Sequence, residues 1–591
     1  MDAHRPLIAL LLAGLTLGAP CRAQEGDAGV PGHESNAVVS WRAPVGSTAV
    51  AVQLLGINDL HGQLEAPPGI NATGGAAALA AHLQAERAEA RARTLLLIAG
   101  DSIGASQLLS GALRDEPTMA ILDALADGDC PTLKRDWPQH VSPVQTRCRI
   151  ISTLGNHEFD RGSAELERLL YGGKHPDGPV LGHDWTGTKV PFIAANVVHR
   201  DGQTPFLPSA AIVDLAGVRL GVIGAVTAET PMLVPAQGIR DLQFLPEAAA
   251  INAAVASLHA QGVHAIVLLI HEGLVAPTNP QPYPLSLRET RGRLAEILAG
   301  IDGGLDVVIA GHTHRLNNLL LPLKDRSLAL VVQARSYGAA FSEIDLEIDV
   351  RTGAVVAKSA TVLPAWTQAG AGLKPDSTVA KIVAKAKKAV ATVESRHIGT
   401  AAAAIRRADL AQPESPLGNL VADAQRSAAG SDFAFMNMGG LRNDLEAGPI
   451  TYGTLYAIQP FGNQLMKVTL TGEQVLRLLE QQWSGVHAAV PRYLAVSGLR
   501  YLFDLSRPAG LRVVSAEDAE GLPIDSGRRY TVATNDFLLG GGDGYSVLAE
   551  GTDPQPLGRD IQALERYVAD APEAVRPMLD GRARRRDAPV R

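Results

Sequence analysis

Five short apolar runs constrain this chain more than any other feature: VAVQLLGI (50–57), TLLLIAG (94–100), RIISTLG (149–155), HAIVLLI (264–270) and DVVIAG (306–311). Each is continuous rather than alternating and rich in Val, Ile or Leu, the pattern of a strand buried on both faces. Between them, GGAAALAAHLQAERAEARAR (74–93) and LPEAAAINAAVASLHAQG (245–262) have helical composition and period. AAIVDLAGVRLGVIGAV (210–226) reads as a hairpin turning at Ala216 and Gly217. This succession predicts an α/β domain with mixed sheets over residues 49–366.

The remaining chain divides by pattern. VAKIVAKAKKAVATVE, with basic residues on its exposed face, reads as one connecting helix inside 367–399. A second apolar pattern runs from near Ile405 to about Tyr567, so a smaller domain is expected over 400–572. The tail 573–591, with GRARRRDAPVR at its end, reads as basic and frayed. At the other end, Arg5 precedes LIALLLAGLTLGA, and Cys21 and Ala23 stand at the −3 and −1 positions of a cleavage site. Residues 1–23 thus read as a secretory signal peptide and 24–48 as a flexible linker, which implies a periplasmic or secreted protein. A membrane anchor is the alternative, but the stretch Leu7 to Ala19 is shorter than the roughly 20 residues a span requires. A lipid on Cys21 is a further alternative, for which Pro20 is a poor fit.

Removal of Cys21 leaves Cys130 and Cys148, and two cysteines in an exported chain suggest one disulfide, with two buried free thiols as the alternative. The intervening PTLKRDWPQHVSPVQTR is polar and proline-rich, as an irregular surface excursion would be. A hydrophobic content of 46% with 19% charged residues excludes disorder throughout. The 53 basic and 61 acidic residues give a net charge of −8, which argues against a general binder of nucleic acid polymers. No internal run reaches the length of a membrane span.

The chemistry lies where the apolar runs end. They lead into Asn58, Asp59 and His61; into Asp101; into Asn156, His157 and Glu158; into His271; and into His312 and His314. In open α/β sheets the functional crevice lies outside the carboxyl ends of the strands. Taken singly, such a His is a solvated loop residue and such an Asp a helix cap. Together, imidazoles, carboxylates and an amide are too many donors for one tetrahedral ion and suit a pair of divalent metals bridged by a carboxylate. The mixed donor set would accept Zn, Mn or Co.

DLHGQLE, AGDSIG, GNHEFDRG, IHEG and AGHTHR resemble the five blocks of the calcineurin-like metallophosphoesterases. With SPLGNLVADA (415–424), NMGGLRNDL (437–445), QPFGNQLMKVTLTGEQV (459–475) and NDFLLGGGDGY (535–545), the chain is similar to the 5'-nucleotidase family from about residue 49 to 570. The resemblance implies a four-layer-type metallophosphoesterase sandwich over 49–366, joined by the linker helix to a smaller α/β nucleotide-binding domain. It also implies that Asp59, His61 and His314 hold one metal, that Asn156, His271 and His312 hold the other, and that Asp101 bridges them. His157 resembles the family's catalytic histidine, with Asp160 orienting its ring. For the substrate, the resemblance implies Arg442 for phosphate, Asn437 for the base edge, Asp543 for the ribose hydroxyls, and Phe461 with Phe537 as the rings that stack the base. The family also has phosphate-contacting arginines shortly before the LGN block, and Arg406 and Arg407 lie near that place here.

The function implied is removal of phosphate from nucleoside 5'-phosphates. Alternatives are hydrolysis of UDP-sugars or 2',3'-cyclic nucleotides, a thiosulfohydrolase-like reaction, or capture of nucleotides by an inactive relative. Retention of the seven candidate ligands and of His157 argues against the last, because a binder needs no water-activating centre.

Overall fold

Leu54 and Leu55 are both fully buried, yet they belong to different cores. The strand that carries them, Ala49–Ile57, is therefore covered on both faces, and the whole architecture follows from that. Leu54 faces a core shared with Val267 and Ile309 of a second sheet, while Leu55 faces one shared with Leu79, Leu83 and Leu122 of two helices. Gly56 approaches Ile309 so closely that a Cβ there would lie 3.2 Å from its side chain. In the computed structural model the described residues are 39–587, apart from 44–47, 67–72, 91–92, 127–129, 135–141, 278–284, 368–372 and 408–411. The expected signal peptide and most of the expected linker lie outside them. Among the described residues no helix is long and apolar enough to cross a membrane.

Two seven-stranded mixed sheets stack face to face. In the first, Ala49–Ile57, Thr94–Ile98, Ile150–Thr153 and Phe192–Ile193 run parallel, while Ala340–Asp349, Val355–Pro364 and Val39–Arg42 extend the sheet antiparallel on the other side. The second is built on parallel Val218–Val226, Ala265–His271, Val307–Ala310 and Leu328–Ala334. Helices Ala76–Ala90 and Glu116–Leu125 cover the outside of the first sheet. Glu247–Ala260 and Arg293–Ala299 cover the second. The hairpin turns at Ala216 and Gly217, whose φ values of 54° and 88° match the twist of the flanking strands.

Cys130 and Cys148 form a disulfide. Much of the segment they enclose, residues 135–141, lies outside the described residues, and within the rest Val144–Thr146 adds a parallel edge strand beside Ala210–Leu215. Helix Ser377–Glu394 begins at Asp376, whose carboxylate accepts from the Thr378 and Val379 N–H groups. Its apolar stripe, Val379, Ala386 and Val390, packs into the core outside the first sheet, so it is a docked helix and not a free tether.

The C-terminal part is built on a five-stranded mixed sheet, in the order Leu494–Ser497, Phe433–Asn437, Arg529–Asn535, Gln464–Thr471, Thr552–Arg559. Its end departs from the frayed tail that the basic composition suggests. Ala583–Arg585 pairs in parallel with Leu499–Phe503. Arg582 is 7% exposed and makes a two-pronged ion pair with Asp423, at 2.7 and 2.8 Å. The charge that suggested solvation is here satisfied by a fixed partner.

Candidate metal centre

The candidate ligands lie at the carboxyl ends of strands from both sheets. Asp59, His61, Asp101 and Asn156 follow strands of the first, and His271, His312 and His314 belong to or follow strands of the second. The loops that present them are strained. Asp59, His61, Asp101, His312 and His314 all have φ between 48° and 71°, a left-handed conformation that non-glycine residues seldom adopt. The surrounding backbone holds them there: Asp59 N–H donates to Gly100 O, His61 N–H to Asp101 O, and Tyr337 N–H to Asp59 O. Gly155 leaves the room this packing needs, since a Cβ on it would lie 2.1 Å from Asp101 Oδ1.

Three overlapping groups of donor atoms result, each within 4.8 Å of one another: Asp59, His61 and His314; His61, Asp101 and His157; and Asp101, His271 and His312. Asp101 Oδ2 lies 2.9 Å from His271 Nε2 and 3.6 Å from His61 Nε2, so one carboxylate stands between the two sets of imidazoles. Asn156 Oδ1 lies 3.0 Å from His312 Nδ1. His61 Nδ1 and His271 Nδ1 face the carbonyls of Gly104 and Ala99, at 2.9 and 2.8 Å. Each carbonyl takes the Nδ1–H and leaves the Nε2 lone pair facing inward.

Two features test whether these residues fit divalent ions. His271 Nε2 is fully buried and has no hydrogen-bond partner despite its proximity to Asp101. His61 has already given its Nδ1–H to Gly104 O, so its inward Nε2 lone pair lies 3.0 Å from a second imidazole nitrogen, His314 Nε2. A buried set of converging lone pairs is the arrangement a cation satisfies. The donors fit divalent metal ions.

Around the centre, His157 Nδ1 lies 2.9 Å from Asp160 Oδ1, and Ala105 N–H donates to Asp160 Oδ2. Burial disfavours the charged His157 ring, but Asp160 and Asp101 outweigh it and raise its pKa. Burial likewise opposes ionisation of Asp101, yet the imidazoles of His271, His157 and His61 hold it well below the usual carboxylate range. Glu158, named in the sequence only as a motif position, has a distinct role, because its carboxylate accepts from the N–H groups of Asp101, Ser102 and Gly155. Asn58 similarly donates to Asp59 Oδ2 and to Arg335 O while accepting from Ala334 N–H. The motif spacing signalled that both residues sit beside ligands, but not which backbone they would clamp.

The expected substrate residues divide. Phe461 reaches the metal centre and stacks on His157 with ring centroids 5.7 Å apart. The Arg442 guanidinium lies 5.8 Å from the Phe461 ring, and its charge is felt at both His61 and His157. Asn437 Nδ2 donates to Asp543 Oδ2 at 2.8 Å. Phe537, by contrast, is 9% exposed and belongs to the C-terminal core, its ring edge against Gly542. Arg406 is occupied by Glu446 and Asp444, and Arg407 donates to Leu441 O. Arg492, which no sequence motif singles out, makes an ion pair with Asp543 at 3.0 Å.

Comparison with known proteins agrees with this geometry. Residues 52–316 match the family model of calcineurin-like phosphoesterases, and residues 390–550 match that of the 5'-nucleotidase C-terminal domain. The chain is 32% identical to the cell wall protein Lmo0130 of Listeria monocytogenes, over 95% of this chain and 70% of that protein. It is also 32% identical to endonuclease YhcR of Bacillus subtilis, over 91% of this chain but only 41% of the length of that relative. Among solved structures, the 5'-nucleotidase precursor of Thermus thermophilus superposes with a TM-score of 0.71 at 27% identity, covering 91% of this chain and 100% of that one. The chain belongs to the 5'-nucleotidase family of metallophosphoesterases, which are hydrolytic enzymes.

Proposed function

We propose that the chain is an exported phosphohydrolase that removes phosphate from nucleoside 5'-phosphates at a centre of two divalent ions. In this reading Asp59, His61 and His314 hold one ion, Asn156, His271 and His312 hold the other, and Asp101 bridges them. The observation that carries it is the stacking of Phe461 on His157 beside the donor cluster, with the Arg442 guanidinium over the Phe461 ring. A flat apolar ring and a guanidinium next to a metal centre suit a ligand that joins an aromatic base to a phosphate.

The ions, when bound, would supply Lewis acidity to the phosphoryl oxygens and to the attacking water. The chain's own residues do the rest. Asp160 fixes the His157 ring through Nδ1, which turns Nε2 away from that carboxylate to donate to a phosphoryl oxygen as negative charge develops. Arg442 neutralises phosphate charge, and Asn437 and Asp543 take the nucleoside. The disulfide supports an oxidising compartment, in keeping with the export signal read at residues 1–23.

A second reading, cleavage of phosphodiesters in nucleic acid, has one observation in its favour, the identity to the Bacillus endonuclease. Release of inorganic phosphate from AMP, UMP, UDP-glucose and 2',3'-cyclic AMP, assayed beside nicking of plasmid DNA, separates the readings. Each assay is run with chelator and with Zn, Mn or Co added back. Phosphate release from AMP that chelator abolishes and metal restores is expected. DNA nicking without AMP hydrolysis would overturn the nucleotidase reading.

A further inference from the structure

Asp543 sits in the turn Gly541–Tyr545 with φ of 52°, a left-handed conformation that non-glycine residues seldom adopt. Both carboxylate oxygens already have a protein partner. Asn437 Nδ2 donates to Oδ2 at 2.8 Å, and Arg492 Nη1 donates to Oδ1 at 3.0 Å. Since an ionised carboxylate offers about four acceptor sites, two remain for a ligand.

Arg492 is built into this turn by its backbone. The buried Tyr545 hydroxyl, from the same turn, donates to Arg492 O at 2.7 Å, and Arg492 N–H donates to Gln482 O. The main chain of Arg492 is thereby fixed to the loop it serves, while its side chain remains 53% exposed at the rim. The Asp543 side chain is only 12% exposed, so Arg492 holds a largely buried carboxylate from the rim, and two separate ties join Arg492 to this one turn.

We infer that Arg492 is a positioning residue for recognition of the ribose: by holding the Asp543 carboxylate in one rotamer, it orients the remaining lone pairs to accept from a vicinal diol. The substrate class this favours is ribonucleotides with free 2' and 3' hydroxyls, over nucleotides that lack them. This inference rests on the nucleotide reading above.

The test is steady-state kinetics of the full chain and its Arg492→Gln and Arg492→Lys variants on AMP and on 2',3'-dideoxyadenosine 5'-phosphate. The quantity read is the ratio of the two kcat/KM values. Arg492→Gln is expected to lower that ratio about three- to tenfold, the size of one ordinary hydrogen bond, through KM for AMP and with kcat within about twofold. Arg492→Lys, which keeps the charge but not the planar fork, should recover part of the loss. Equal losses on both substrates, or an unchanged ratio in Arg492→Gln, would overturn the inference while leaving the nucleotide reading intact. A wild-type enzyme that does not distinguish the two substrates would remove Asp543 as the diol acceptor, and the inference with it. No hydrolysis of either nucleotide would defeat the underlying reading instead.

Discussion

His157, beside the metal-ligand cluster, and Phe461, from the C-terminal part of the chain, stack with ring centroids 5.7 Å apart and planes inclined by 22°. They are separated by more than three hundred residues of sequence, and the contact brings the C-terminal part of the chain against the candidate metal centre. Tyr456 reinforces the approach: its hydroxyl lies so close to Gly111 that a Cβ there would overlap it. In the proposed reading, chemistry and recognition meet between these two parts.

Phe461→Ala should weaken the handling of nucleotides more than that of small esters. With base–aromatic stacking worth about 1 to 3 kcal/mol, kcat/KM for AMP should fall roughly 5- to 150-fold. Glycerol phosphate, which has no base, should lose distinctly less. Comparison of the two substrates in one preparation checks this, and parallel losses would place Phe461 in support of His157 alone.

Asp101→Asn keeps shape and removes the charge that faces both His61 and His271. Hydrolysis should fall at least about a hundredfold, the order seen when a charge-stabilising group is removed from an active site. Bound metal, measured by elemental analysis of the purified protein, should fall too. Full metal content with near-normal turnover would show that Asp101 does not bridge.

Glu158→Ala should act on stability as well as activity, because it strands three N–H groups, those of Asp101, Ser102 and Gly155. Leaving buried donors unpaired costs about 1 to 3 kcal/mol each, so a loss of about 3 kcal/mol or more is expected in denaturant titration. A milder Glu158→Gln variant, which keeps one acceptor oxygen, should fold better and still bind metal less tightly. Unaltered stability in the alanine variant would argue that the loop finds other partners.

Truncation after Gly581 tests the ordered C-terminus. It removes the Arg582–Asp423 ion pair and the edge strand Ala583–Arg585. Breaking a largely buried pair from one side costs several kcal/mol, and about 2 kcal/mol is expected here because Asp423 keeps partial access to water. A melting temperature equal to that of the full chain would restore the frayed-tail reading.

Much of the fold was legible because its causes are local. Continuous apolar runs mark doubly covered strands, and helical periods mark the covering helices. The candidate donors stand out for the same reason, since each lies within four residues of the end of an apolar run. Composition misled where charge has a distant partner, as at Arg582.

Neighbours in the chain are enough to mark the apolar strands and the His, Asp and Asn residues that follow them, because strand formation and loop chemistry are local. The folded arrangement is what brings the candidate donors from two facing sheets together, sets Asp101 between His61 and His271, lets Glu158 clamp the loop carrying it, and carries Arg492 to Asp543. Those relationships depend on how two sheets bury their apolar faces against each other and on which loops that burial forces into left-handed turns. They join residues far apart in the chain, so no local pattern encodes them.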